Sequence, residues 1–252
     1  MEKSNFINSL ANGLEVLTTF DANHPSLTIS EVSGITGLTR ASARRILLTL
    51  AALGYVRQEG NAFNLTSRSL AIGHSYLNAS GLGDIVSRRI AELSSELHES
   101  VSAAVLDGHE IVYIARSSAT KIMQVRISIG TRFPAAITSM GRVMLADLSE
   151  ADLEVLLAKH PIDQLTPKTK TNRAALLAEI RAVRTQGHAV VNQELEVGLK
   201  SLAVPIRDLH GRVIAAINVA GPATSDTFTF EPSVLQALEM CAQRIAQDLR
   251  SN

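Results

Sequence analysis

The stretch TISEVSGITGLTRASARRILLTLAALGYVRQEGNAFNL, running from Thr28 to Leu65, reads as a short helix, a glycine turn, a basic helix and a glycine-tipped hairpin. A winged helix-turn-helix uses that order of elements to present one helix to the DNA major groove. Thr28 with Glu31 makes a capping box, the hydroxyl accepting from the third helical N–H while the carboxylate accepts from the Thr28 backbone, so a helix starts at Ile29. Gly37 tolerates the positive φ that ends it, and Thr39 caps the next helix. Along that second helix Ala43, Ile46, Leu47, Leu50 and Leu53 recur at helical spacing and predict the side packed on a core, while Leu48 falls awkwardly near the other side. Arg44 and Arg45 face away from the core, one turn beyond Arg40, and no acid interrupts Thr39 to Leu53. Ala41 and Ser42 are small enough to let the backbone approach base edges, and an arginine fork fits either guanine or phosphate.

Arginines on a helix would alone be an ordinary solvated face. The hairpin behind them argues otherwise. Gly54 ends the helix, and Tyr55-Val56-Arg57 and Phe63-Asn64-Leu65 flank the turn Gly60-Asn61. This is a wing, with Arg57 and Asn61 placed to reach phosphate or the minor groove. The expected DNA-binding set is therefore Thr39, Arg40, Ala41, Ser42, Arg44, Arg45, Arg57 and Asn61.

Upstream, Phe6, Leu10, Leu14, Leu17 and Phe20 mark an apolar stripe on a first helix expected to brace this unit, and His24-Pro25 breaks it. Downstream, a linker helix is expected over Ser67 to Asn78, and Ser80-Gly81-Leu82-Gly83 reads as a flexible joint. Three parts follow: residues 1–66 for DNA binding, 67–83 as linker, and 84–252 as a second domain. In that domain Val86, Ile90, Leu93 and Leu97 predict a helix. Strands are expected at Val101 to Leu106 and Ile111 to Ala115 around the turn Asp107-Gly108, and at Ile122 to Ile129. Helices around Arg142 to Lys159 and Arg173 to Gln186 come next. Strands near Ala189 to Gln193, Ser201 to Arg207 and Val213 to Val219 follow, the last preceded by the turn His210-Gly211, and a closing helix spans Pro232 to Leu249. Hairpins with helices set against the sheet make the class α+β with a mainly antiparallel sheet.

The 252 residues suffice for two ordinary domains, and a composition 46% hydrophobic is that of a folded protein. With 24 basic and 24 acidic residues there is no global attraction to nucleic acid, so DNA affinity must come from local patches and from doubling the site. The single cysteine, Cys241, rules out an internal disulfide framework and a cysteine-based zinc site. The histidines, scattered near element ends, lack ligand spacing, so neither metal nor cofactor is expected. No signal peptide or membrane-spanning run is read, which places the chain in the cytoplasm with no membrane partner.

In the second domain the loop Gly130-Thr131-Arg132-Phe133-Pro134-Ala135 leads to Thr138-Ser139-Met140-Gly141-Arg142. A hydroxyl-capped helix N-terminus there would suit a carboxylate, with Met140 as an apolar wall, although a plain capped helix reads equally from these residues. Asn218 sits inside the apolar run Val213 to Ala220 and needs a hydrogen-bond partner if buried. Asn192, Glu194, Gly198 and Ser201 cluster nearby in sequence. No nucleophile elbow, phosphate-binding loop, dinucleotide fingerprint or zinc-protease motif occurs, so no catalytic residue is assigned.

Several of these motifs together carry a family resemblance. They are Ser42-Ala43-Arg44-Arg45-Ile46-Leu47, Phe63-Asn64-Leu65-Thr66, Thr138-Ser139-Met140-Gly141-Arg142, the run from Glu194 to Ala203, and Ile217-Asn218-Val219-Ala220-Gly221. Over essentially its whole length the chain resembles IclR-type bacterial transcriptional regulators, and within them the branch controlling aromatic acid catabolism through the β-ketoadipate pathway. The resemblance implies a GAF-like effector domain for a small organic acid, and dimers or tetramers on a double-stranded DNA operator. It also implies an effector pocket lined by Ser139, Met140, Gly141, Asn192, Ser201, Asn218 and Ala220. The competing readings are a winged helix fused to a small-acid enzyme and a purely dimerising DNA-architectural protein.

Overall fold

The computed structural model describes residues 5–21, 23–79, 81–118, 127–223 and 231–251. The chain divides into two compact units, Met1–Ala79 and Ser80–Asn252.

In the first unit α1 (Asn8–Thr18) leads to a short strand β1 (Ser26–Thr28), then α2 (Ile29–Thr36) and α3 (Arg40–Ala52). The capping box forms as its residues dictate: Glu31 N–H donates to the Thr28 hydroxyl at 3.3 Å, and Thr28 N–H to Oε2 of Glu31 at 2.7 Å. Gly37 closes α2 with φ +69°, and the Thr39 hydroxyl accepts from Ser42 N–H to open α3. The hairpin β2 (Val56–Glu59) and β3 (Ala62–Leu65) turns at Gly60, and β1 adds to β3 as a third antiparallel strand. The strand β1 is not expected from sequence, because three residues ending in a cap carry no periodicity.

Val16, Phe20, Leu27, Val32, Ala43, Leu47, Val56 and Phe63 make the core of this unit. Two expectations need correction. Leu53 is exposed, because the helix ends one residue earlier and Leu53 becomes its cap. The α1 stripe also divides: Val16, Leu17 and Phe20 reach the core, whereas Phe6, Ile7, Leu10 and Leu14 stand 51–63% exposed on the other side. The helical turn Ser67–Ser69 then precedes α4 (Leu70–Ala79), on which Leu70 and Ile72 are also exposed.

The second unit opens with α5 (Leu82–Leu97), so Gly83 lies inside a helix rather than in a joint, and Gly81 with φ +63° starts it. The strands are β4 (Ser100–Asp107), β5 (Glu110–Ser117), β6 (Arg132–Pro134), β7 (Ala189–Asn192), β8 (Leu199–Arg207) and β9 (Val213–Pro222). They form one antiparallel sheet in the order β6-β5-β4-β9-β8-β7. The helix expected over Arg142 to Lys159 is two, α6 (Ser139–Leu145) and α7 (Glu150–Lys159), because Ser149 caps the second through Asp152 N–H. α8 (Arg173–Gln186) and α9 (Pro232–Arg250) complete the described elements. Of the strand expected at Ile122 to Ile129, residues 122–126 lie outside the described residues, and 127–129 run into a turn.

Strand alternation sorts the sheet residues by face. Val101, Ala103, Leu202, Val204, Ile217 and Val219 point one way, where α5 and α9 pack; Ala104, Ile111, Tyr113, Ala203 and Ala216 join α6, α7 and α8 in the main core on the other. Arg89 clamps α5 to α9, its Nε and Nη2 donating to the two Asp248 carboxylate oxygens at 2.8 and 3.2 Å. Cys241 is buried on α9, and burial pushes its thiol up to about 11, which fits packing rather than chemistry.

Leu47 and Leu48 provide a direct check on the first core. Leu47→Ala empties a fully enclosed site and is expected to cost ~3 kcal/mol. Leu48→Ala, at a position 37% exposed, is expected to stay within about 0.5 kcal/mol. Denaturant unfolding of the full chain, followed by circular dichroism, measures both.

Candidate functional site

A second-unit cavity forms where the helix α6 meets the sheet. Its interior volume is about 20 Å³, so it is nearly closed in this structure, and it is lined by residues from β4, β5, α6, β7, β8 and β9. Ser102, Tyr113, Arg116, Ser139, Ser201 and Asn218 supply polar groups, while Ile137, Met140, Val191, Leu195, Leu199 and Ala220 supply apolar walls. That mixture, apolar walls with a few convergent polar groups, is the usual make-up of a small-molecule site.

The sheet register explains why these side chains meet. Ser102 on β4 pairs with Arg116 on β5 and with Asn218 on β9, so the three stand in one row across three strands. Ser201 pairs with Ala220 one step further along. Between Ala103 and Ala104 the register shifts, Ile114 being the extra residue on β5. This bulge puts Tyr113 and Arg116 on the same face although they are three residues apart, which a regular strand forbids. The Arg116 guanidinium donates to the Ser102 hydroxyl at 3.3 Å and to the Ser118 hydroxyl at 3.0 Å. Burial holds Arg116 below the usual arginine range, and the same burial pushes the Tyr113 phenol up to about 12, with the Arg116 charge opposing. Tyr113 is therefore a neutral hydroxyl at neutral pH. Asn218, 5% exposed, carries the one buried side-chain nitrogen or oxygen without a partner among the described residues, its Oδ1.

Of the effector-site residues expected from sequence, the structure gathers Ser139, Met140, Ser201, Asn218 and Ala220 around this cavity. Two of the set do not line it. Asn192 is exposed on β7, because Val191 before it points into the cavity and neighbouring strand residues face opposite ways. Gly141 is a packing glycine: a Cβ there would lie 2.1 Å from the Ala135 carbonyl oxygen. At the α6 N-terminus the Gly141 N–H donates to the Thr138 hydroxyl and the Ser139 hydroxyl donates to Ser201 at 2.9 Å. Arg116, Tyr113 and Ser102 were not found from sequence. The polar Ser102 within an apolar run was a signal, but only the cross-strand register gives it neighbours.

α6 is held in place by a buried ion pair. Arg142, its side chain fully enclosed, donates to the Ala136 carbonyl at 2.9 Å and to Glu194 at 2.7 Å, and Glu179 lies 3.5 Å away. Glu194 also accepts from Lys170 N–H, and the Thr169 and Thr166 hydroxyls donate to the Glu194 and Gln193 carbonyls. This fixes the segment that brings Leu195 to the cavity. Hydrogen bonding from Lys170 holds the Glu179 carboxyl below its usual range.

In the first unit, Arg44, Arg45, Ala41 and Thr39 lie exposed on α3 and its cap, with Ser42 half-buried beside them. Arg40 reaches back to the Ser30 hydroxyl on α2. Asn61 is at the wing tip, and Arg57 is exposed and paired with Glu59 at 2.8 Å. His109 and His160 stack at 3.7 Å between ring centroids, and no group of three or more metal-ligating side chains occurs among the described residues. No helix among those residues is long and apolar enough to cross a membrane.

Residues 9–60 match the IclR helix-turn-helix domain, and residues 74–247 match the family described as bacterial transcriptional regulator IclR, C-terminal. The Pca regulon regulatory protein of Pseudomonas putida is 41% identical over 85% of this chain and 74% of its own length. The p-hydroxybenzoate hydroxylase transcriptional activator of Acinetobacter baylyi is 34% identical over 84% of this chain and 80% of its own. Among solved structures, an IclR homologue from Microbacterium hydrocarbonoxydans complexed with 4-hydroxybenzoate superposes with TM-score 0.86, covering 97% of this chain and 100% of that one at 23% identity.

The ion pair yields a test of what holds the cavity helix. Glu194→Leu alone removes the buried partner of the enclosed Arg142, leaving only the half-exposed Glu179 at 3.5 Å, and is expected to cost ~3 kcal/mol. The double variant Arg142→Met/Glu194→Leu is expected to recover most of that loss, and a double-mutant cycle on unfolding free energies measures the difference.

Proposed function

Because this chain belongs to the IclR family of bacterial transcriptional regulators, we propose that it reads a two-fold operator through paired winged helices and answers to an aromatic acid bound in the second-unit cavity. Residues 1–66 serve as the DNA-binding domain, 67–83 as linker and 84–252 as effector domain. The observation that carries the reading is the cavity itself, a polar row set in apolar walls and including Arg116, a cation fit for a carboxylate. Relatives named for Pca and p-hydroxybenzoate genes, and a neighbour that holds 4-hydroxybenzoate, support an aromatic acid of the β-ketoadipate pathway. Ser139, Met140, Ser201, Asn218 and Ala220 line the proposed effector site with Arg116.

On the DNA side, Arg44 and Arg45 enter the major groove from α3, with Thr39, Arg40, Ala41 and Ser42 at its leading end. Arg57 and Asn61 contact the backbone from the wing, a phosphate displacing Glu59 from Arg57. With no net charge on the chain, a single copy lacks the attraction needed to hold DNA, so a homodimer or tetramer doubles the contact. The exposed apolar side chains of α1 and α4 are the surface such assembly would cover. Effector and operator sites then communicate through a coupling free energy of ~1–3 kcal/mol, in the cytoplasm where both are found.

Selection of bound fragments from sheared genomic DNA is expected to recover a two-fold sequence. Arg44→Ala and Arg45→Ala should each weaken binding to it by about tenfold or more while leaving ligand-induced thermal stabilisation unchanged. Unchanged operator affinity in both variants overturns the assignment of α3. In parallel, 4-hydroxybenzoate or protocatechuate at about a hundred times its dissociation constant should add ~2.7 kcal/mol of stability, read as a rise in Tm.

A further inference from the structure

We infer that Arg116 and Asn218 act as a matched pair of specificity determinants that select an effector bearing both a carboxylate and a hydroxyl donor, over plain acids and diacids. The inference rests on the cavity being the effector site, and it deepens that reading.

Three observations carry it. The first is position: Arg116, Ser102 and Asn218 are register partners on β5, β4 and β9, side chains to the same face. Adjacent strands lie about 4.8 Å apart, so the backbones at the two ends of the row are about 10 Å apart. The guanidinium leans along the row toward Ser102, at 3.3 Å. A small ligand lying on the row therefore meets both end groups at once.

The second is the chemistry of each end. Arginine only donates, and in a site that excludes water a guanidinium gains most from a carboxylate, which accepts two parallel bonds from it. The Asn218 Oδ1 only accepts, is buried, and has no donor among the described residues. With the amide in this orientation a carboxylate oxygen repels it, whereas a hydroxyl satisfies it. A ligand with acid groups alone would leave this oxygen unmatched in the closed complex, which is the costly outcome for a buried acceptor.

The third is the wall. Ile137, Met140, Val191, Leu195 and Leu199 enclose the rest of the cavity, and the Tyr113 ring closes the Arg116 side. These surfaces suit a compact apolar body between the two polar groups, and the described lining residues offer no second cation for a second carboxylate. A hydroxylated aromatic acid meets all three conditions.

The test is calorimetric titration of the full chain with benzoate, 3-hydroxybenzoate, 4-hydroxybenzoate and the neutral 4-hydroxybenzamide. For the wild-type chain the better hydroxybenzoate is expected to bind at least about tenfold more tightly than benzoate. In Asn218→Leu that ratio is expected to fall to near one, whereas Asn218→Ser, a smaller change that keeps an acceptor, retains a preference. Arg116→Gln is expected to weaken all three acids while leaving the benzamide and the hydroxyl preference in place. Benzoate binding as tightly as both hydroxybenzoates, or a ratio that survives in Asn218→Leu, overturns the inference and leaves the effector site standing. No binding of any of the three acids to a chain that melts cooperatively overturns the aromatic effector reading, and the inference with it.

Discussion

The enclosed guanidinium of Arg142 is the constraint on which the cavity depends. A cation taken wholly out of water is expensive unless it is paired and its donors are used, and here Glu194, Glu179 and the Ala136 carbonyl meet it from three segments. Arg142 thus sets where α6 stands against the sheet and where the turn after β7 lies, and each contributes to the wall, Ser139 and Met140 from one and Leu195 from the other. Gly141 makes the same approach possible from the backbone side, since any Cβ there would meet the Ala135 carbonyl. The TSMGR run is therefore a packing motif at Gly141 and Arg142, a lining motif at Ser139 and Met140, and both at Thr138, which caps α6 and lines the cavity.

A polar row can survive inside this sheet because the bulge on β5 interrupts its alternation. Toward the β6 end the same face carries Ala104, Ile111 and Tyr113 and is filled by Val143 and Met144 of α6. One step along, Ser102, Ser201 and Asn218 replace the large apolar side chains, and small Ala220 fills little space. Volume is left where side chains are short, and polarity is concentrated where the register aligns them. The bulge adds Arg116 to that end without removing Tyr113 from it.

Much of the first unit was legible because its signals are local. A capping box, a glycine with positive φ and a two-residue turn each act within a few residues, and α2, α3 and the wing follow directly from them. The α1 stripe misleads because periodicity identifies an apolar face without saying what covers it. Phe6, Leu10 and Leu14 have the spacing of a core face and are exposed in the single chain. In the second unit the elements were legible but the cavity only in part. Ser139 and Met140 stood out by composition, and Asn218 as an amide in an apolar strand. Arg116, Ser102 and Tyr113 become neighbours through strand pairing across a bulge, which no single-strand pattern encodes. Asn192 failed for the complementary reason: one residue of phase on β7 turns it outward while Val191 points in.

The exposed apolar side chains of the first unit and the chain's neutral charge bear on the same question. A protein with as many acids as bases gains little from long-range attraction to DNA, so a single α3 with its arginines would bind weakly at physiological salt. Two copies fixed relative to one another convert the second contact into an intramolecular one, and affinity then rises steeply without added charge. Leu10 and Leu14 of α1, with Phe6 and Ile7 just before it, leave an apolar patch in water in the single chain. In the proposed paired arrangement, where binding depends on the spacing of two weak contacts, a coupling of ~1–3 kcal/mol from the effector domain would change operator occupancy by a large factor.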